Sequence, residues 1–220
     1  MNTTTLPEES TATQPEKAHT TGGREEKCMT KLQWKLLTKK RAGVTQGLPA
    51  GKETLAWVTN TVTLIYGERD AILVDTFLSV QHSKELVDWV AESGKNLTTI
   101  YVTHAHGDHF FGLKSLLDSF PNARAFAIAT VVAGIKNQIN PDFIKSFWEP
   151  RFPGQVPSQL VVPEVLEGDT FYLEGKELRS WSSVTPTRPT QLRCMCLPSV
   201  WSYLEIASTT TRISILPSAT

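Results

Sequence analysis

Thr98-Thr99-Ile100-Tyr101-Val102-Thr103-His104-Ala105-His106-Gly107-Asp108-His109 is the stretch on which the reading of this chain turns. Residues 98–102 are β-branched or aromatic and predict a buried strand. The character then changes: three histidines and one aspartate fall within the six positions 104–109. A strand ending in a short loop fixes where several side chains originate while the loop aims them at one spot. Neutral imidazole and carboxylate are the donor set of zinc and its divalent neighbours, whereas a core-packing role would not group three histidines with an aspartate. A solvated polar loop would account for the polarity of this stretch but not for its composition.

Working outward, 61–67 reads as a strand, Glu68-Arg69-Asp70 as a turn and 71–75 as a second, more buried strand, which together predict a hairpin. Residues 79–93 place Val80, Leu86, Val87, Val90 and Ala91 at helical spacing, with Gly94 at the expected stop. Downstream, 110–120 reads as helix, 124–128 as strand, 131–139 as helix, and 142–148 as helix again after Asn140-Pro141. Residues 160–165 and 170–173 suggest one more hairpin around Glu167-Gly168-Asp169. A β-hairpin followed by alternating helices and strands fits a sheet with helices packed outside it, an α/β architecture. Residues 31–41, where Lys35, Lys39, Lys40 and Arg41 interleave with Trp34, Leu36 and Leu37, read as a solvated lead-in to the first strand. Residues 1–30 hold too few large apolar side chains to offset chain entropy and read as a disordered tail.

The chain's 220 residues suit one domain better than two. Its 22 basic and 22 acidic residues balance, so no general charge argument favours nucleic acid or an anionic membrane surface as partner. Cys28, Cys194 and Cys196 form neither a disulfide framework nor a zinc-knuckle pattern, and no signal-peptide layout opens the chain, so a cytoplasmic location is expected. No apolar run approaches the roughly 20 residues that span a bilayer. The expected partner is a small-molecule substrate.

The histidine motif and the Ile72-Leu73-Val74-Asp75 strand before it resemble the metallo-β-lactamase superfamily, and the resemblance runs from about Leu55 to about Leu178. It implies an αββα sandwich with metals, one or two Zn2+ or other divalent ions, at one edge between two sheets. His104 and His106 would bind the first metal, and Asp108 and His109 the second. Asp108 would also be catalytic, orienting the attacking hydroxide. Asp75 would support the site without ligating, although an ordinary carboxylate opening a turn reads equally well. The chemistry implied is hydrolysis of an ester, thioester, lactone or lactam by a zinc-bound hydroxide, because zinc brings the pKa of water to about 7. The alternatives are a non-catalytic metal-binding or regulatory module, or an inactive truncated product.

The family order then calls for a third histidine, a bridging aspartate and a last histidine, but no histidine follows His109. From Arg179 onward Gly, Asp, Lys and Phe are absent, and Ser and Thr fill 15 of 42 positions. Turns rarely dispense with glycine and aspartate together. Reading the same nucleotides one frame over, the codons under Ser183 to Thr187 permit Gly-His-Thr-Asp, and those under Leu204 to Ile206 permit Gly-Asp. The expected organisation is therefore a family-like N-terminal half over 31–178 and an aberrant Ser/Thr-rich tail over 179–220, frame-shifted or truncated, leaving the second half of the fold incomplete.

Overall fold

The computed structural model describes residues 31–40, 59–181, 191–196 and 202–206. The expected disordered tail over 1–30 lies outside these residues. β1 (Gln33–Lys39), β2 (Asn60–Tyr66) and β3 (Asp70–Val74) form an antiparallel meander, with Leu64 opposite Leu73. α1 (Val80–Ala91) then carries the chain across to β4 (Asn96–Tyr101), parallel to β3. α2 (Gly107–Phe110) and α3 (Leu113–Ser119) lead to β5 (Arg124–Ala127), and α4 (Ala129–Gln138) follows. A helical turn (Pro141–Phe143), a π-turn (Ile144–Trp148) and a last helical turn (Glu149–Arg151) precede β6 (Glu164–Val165), parallel to β5. The second sheet is a meander of β7 (Thr170–Leu173), β8 (Lys176–Trp181), β9 (Gln191–Cys196) and β10 (Ser202–Ile206).

Local chemistry explains these elements. Ser79 caps α1 by accepting from the His82 N–H, and Asn140 caps the turn that begins at Pro141. Leu64, Leu73, Leu86, Val90, Ile100 and Leu116 are fully buried between the first sheet and its helices. Burial of each such side chain contributes about 1.5–3 kcal/mol. On the opposite face Ile65, Ile72, Val74 and Tyr101 meet Leu173 and Leu178 of the second sheet. The successive layers are therefore helices, sheet and sheet, and a helix layer outside the second sheet is not among the described residues.

Two expectations change, and one expected boundary falls inside a strand. Within the expected lead-in, Gln33–Lys39 is itself strand β1, and two of its basic residues are turned onto α1: Lys35 Nζ donates to the Trp89 carbonyl at 3.0 Å and lies 4.2 Å from that ring, while Lys39 pairs with Glu85. The hairpin expected around Glu167-Gly168-Asp169 does not form, because β6 stays in the first sheet and β7 opens the second. Thr170 to Leu173 instead pairs with β8 across Glu174-Gly175, where φ values of 48° and 77° match the primed turns of tight hairpins. The boundary at Leu178 falls inside β8, and the second sheet continues beyond it through β9 and β10, with Leu178 opposite Cys194 and Cys194 opposite Leu204. Alternating apolar and β-favouring side chains suffice for such strands, even without the family's residues.

Candidate metal centre

The quoted stretch leaves β4 at Tyr101, and Val102, Thr103 and the histidines follow at the sheet's edge. His104 is half-buried, His106 exposed, and Asp108 and His109 buried on the single turn of α2. His104 Nε2 stands 3.1 Å from His106 Nδ1. Two nitrogens on one tetrahedral zinc, each bonded at about 2.0–2.1 Å, stand roughly 3.3 Å apart, so this pair has the spacing of ligands on a common ion. The His109 ring lies against that of His104, with centroids 3.7 Å apart, and its Nε2 is 3.6 Å from Asp108 Oδ2.

Asp75 organises the group. It follows β3 at φ 64°, a left-handed conformation that aspartate tolerates better than most residues. Its N–H donates to the Tyr101 carbonyl at 2.9 Å, which fixes the turn. Its carboxylate accepts from the Thr103 N–H at 2.8 Å and from the Thr103 hydroxyl, at 2.7 Å to Oδ2, and Oδ2 lies 2.9 Å from His109 Nδ1. Burial pushes the Asp75 carboxyl up, but the adjacent His109, then His104 and the Thr103 N–H, outweigh it and hold the carboxyl below the usual range. Burial is also the main cause holding His104 down at about 4, helped by His109, so its imidazole is neutral at pH 7. Burial pushes the Tyr101 hydroxyl up to about 12, with the nearby Asp75 carboxylate adding to the rise and the Ser180 side chain opposing it.

The structure thus brings together all five residues singled out in sequence: His104 with His106, Asp108 with His109, and Asp75 behind them. The donor types fit zinc and the His104–His106 pair fits it geometrically. Among the described residues, however, no three His, Cys, Asp or Glu side chains converge as a complete ligand group. Two positions had no signal in the sequence. Asn60 and Thr76 are buried polar residues whose partners are the carbonyls and N–H groups of α2 and its flank. Neither belongs to a motif, and their contacts span up to 48 residues.

The Trp148-Glu149-Pro150-Arg151-Phe152 stretch is packed by its own aromatics, with Trp148 and Phe152 buried. A cavity of about 720 Å3 lined by Ile139, Ile144, Lys145, Glu149 and Leu160 lies beside it and includes none of the histidine loop. No helix of the described residues is long and apolar enough to cross a membrane.

The sheet-on-sheet α/β fold carries its His-x-His-x-Asp-His loop at the end of a parallel strand. Residues 55–182 match the metallo-beta-lactamase superfamily, and the chain belongs to that family. A hydroxyacylglutathione hydrolase of Francisella tularensis subsp. novicida (strain U112) is 36% identical over 64 residues, 29% of this chain and 24% of the relative. An atrochrysone carboxyl ACP thioesterase of Pseudocercospora fijiensis (strain CIRAD86) is 38% identical over 80 residues, 36% of this chain and 23% of that protein. The chain thus matches about a quarter of the length of these curated relatives. A metallo-beta-lactamase from Pontibacter korlensis shares the fold with TM-score 0.50 and 12% identity, over 75% of this chain and 66% of that one.

Proposed function

We propose that this chain carries the first half of a metal-dependent hydrolase site whose substrate is a small acyl thioester, with His104 and His106 on one zinc ion and Asp108 and His109 on a second. The observation that supports it most is the His104–His106 nitrogen spacing next to a His109 braced by buried Asp75. When bound, zinc supplies an activated water and a Lewis acid for the scissile carbonyl. The chain's own residues prepare for that. His104 is neutral at working pH, which ligation requires. The Asp75 contact at His109 Nδ1 leaves Nε2 as the outward donor atom, the arrangement by which carboxylates orient ligating imidazoles. Asp108, buried beside that Nε2, is placed to orient the attacking water.

Thioester is preferred over ester, lactone and lactam because the two curated relatives are named for an acylglutathione and for an ACP thioesterase. A second reading, a metal-binding or regulatory module without turnover, is favoured by the absence of a converging three-donor group among the described residues. In this proposal the missing donors are encoded one frame over, after Leu178.

The test is hydrolysis of acyl-glutathione and acyl-pantetheine thioesters, followed as released thiol, against a chromogenic lactam while zinc is titrated. Slow zinc-dependent thioester cleavage that disappears in His104→Ala is expected. Zinc uptake with no turnover of any substrate would transfer the assignment to the binding module.

A further inference from the structure

We infer that Asn60 is a positioning residue for the Asp108–His109 pair, acting with Thr76 as a clamp on the back of α2. The inference rests on the reading of Asp108 and His109 as ligands. Asn60 opens β2 and is 4% exposed, in a strand otherwise made of Thr, Val, Leu, Ile and Tyr. Its side-chain amide donates to two main-chain carbonyls, that of Asp108 and, at 3.2 Å, that of Thr76. Both amide hydrogens are then used. Thr76 completes the clamp: its N–H donates to the His109 carbonyl at 3.0 Å, and its hydroxyl accepts from the Gly112 N–H at 3.1 Å. A side chain at residue 112 would enter this space, since its Cβ would stand 3.1 Å from Thr76 Cβ and 2.8 Å from Ser83 Oγ.

α2 needs such an external hold. It is one turn long, closed by His109 N–H to the His106 carbonyl and Phe111 N–H to the Gly107 carbonyl, both at 2.9 Å. A single turn has almost no intrinsic stability. A small rotation of α2 about its axis would swing Asp108 and His109 out of register with His104 and His106, which leave the chain before the helix begins. Ligand constellations tolerate only about 0.5 Å of such error. A purely packing role at position 60 would be filled as well by leucine, and leucine would leave two buried carbonyls unpaired at about 1–3 kcal/mol each. The clamp therefore serves the second pair of donors in particular, not the loop as a whole.

The test uses the full chain with 15N-labelled histidine, as parent, Asn60→Leu and Thr76→Val, in two measurements. In the metal-free protein the imidazole resonances of His109 should move in both variants, more in Asn60→Leu, while those of His104 and His106 move little. In a cobalt(II) titration the variants should bind about 10- to 100-fold more weakly than the parent, the range typical of outer partners of metal ligands. Folded variants with the parent's His109 resonances and cobalt affinity would overturn the inference. Should Asn60→Leu not fold, Thr76→Val decides, being nearly isosteric and costing only the acceptor for Gly112. A parent chain that binds no cobalt would instead sink the ligand reading, and the clamp is then judged on the His109 resonances alone.

Discussion

The loop after β4 and the strands after Leu178 face the same question, how to turn a sheet edge into a site, and they answer it differently. Around 103–112 most polar groups have a named partner: Thr103 on Asp75, His109 on Asp75, the Asp108 carbonyl on Asn60, Gly112 on Thr76. Beyond Leu178 the backbone still forms ladders, with β9 aligned on β8 and β10 on β9. Yet the sequence there offers no histidine and no aspartate to aim at the gap between the sheets. A ladder needs only β-favouring residues at a period of two, which many sequences contain by chance. A site needs particular donors at particular positions. Strand formation is therefore weak evidence that the second half works, whereas the first half's polar network fixes where its candidate donors sit.

The largest effect should come from abolishing the contrast. Restoring the reading frame near Leu178, so that the nucleotides under Val184 to Thr187 encode His-Thr-Asp, should restore tight binding of two zinc ions and raise turnover by orders of magnitude. Loss of a ligand removes both the activated water and the Lewis acid, so recovery should appear in kcat more than in KM. In the repaired protein His104→Ala, His106→Ala and Asp108→Ala should each abolish activity, and substitution of His19 should not. Two zinc ions held by the unrepaired chain after dialysis against a mild chelator would break the comparison outright.

Next in size is Asp75→Ala. It leaves the Thr103 N–H, its hydroxyl and His109 without their buried acceptor, the situation in which one member of a buried polar pair is deleted. A loss of about 3–5 kcal/mol in urea unfolding is expected. A loss below 1 kcal/mol would mean that the turn, not the carboxylate, holds the site.

Much of the first half was legible because its signals are local. The six-residue motif, the helical spacing over 79–93 and the hairpin of β2 and β3 each depend on neighbours within a few positions, and the structure has the helix and the hairpin there. What was not legible depends on distance or on an uncommon turn. Asn60 looks like any polar residue at a strand's start, and only the 48-residue contact to Asp108 gives it meaning. The hairpin of β7 and β8 went unseen because Glu174-Gly175 stands where Asn-Gly is the familiar signal. The strand at 33–39 was masked by its lysines, whose stems lie on α1 while their charges read as a solvated segment.

Tyr101→Phe probes the gap between the sheets from within. Its ring is buried and stacks on that of Phe171 with centroids 5.3 Å apart, and its hydroxyl lies within hydrogen-bonding reach of the Ser180 side chain on the second sheet. Removing the hydroxyl should lower stability by up to about 1 kcal/mol, read as a lower Tm. An unchanged or higher Tm would show that the contact to Ser180 contributes nothing to holding the sheets together.

The smallest effect belongs to a carboxylate that joins the two sheets. Glu174, in the hairpin turn of β7 and β8, accepts from the N–H groups of Glu68, Arg69 and Asp70 at 2.9, 2.6 and 2.8 Å, so the second sheet caps the β2–β3 turn of the first. A Cβ at Gly67 would run into the Glu174 carboxylate and push that flexible side chain away from the turn. The three N–H groups, led by that of Asp70, hold the Glu174 carboxyl below its ordinary value of 4.5. A carboxyl depressed in the folded state binds its proton more readily unfolded, so its contribution is present above the unfolded value and fades as pH falls through the folded one. The group is largely solvated, and screening keeps that contribution below about 1 kcal/mol. Glu174→Gln should therefore lower the urea midpoint slightly at pH 7, with the gap to the parent closing as pH falls below about 4.5. A gap that stays constant down to pH 3 would mean that shape, not charge, ties the second sheet to the first.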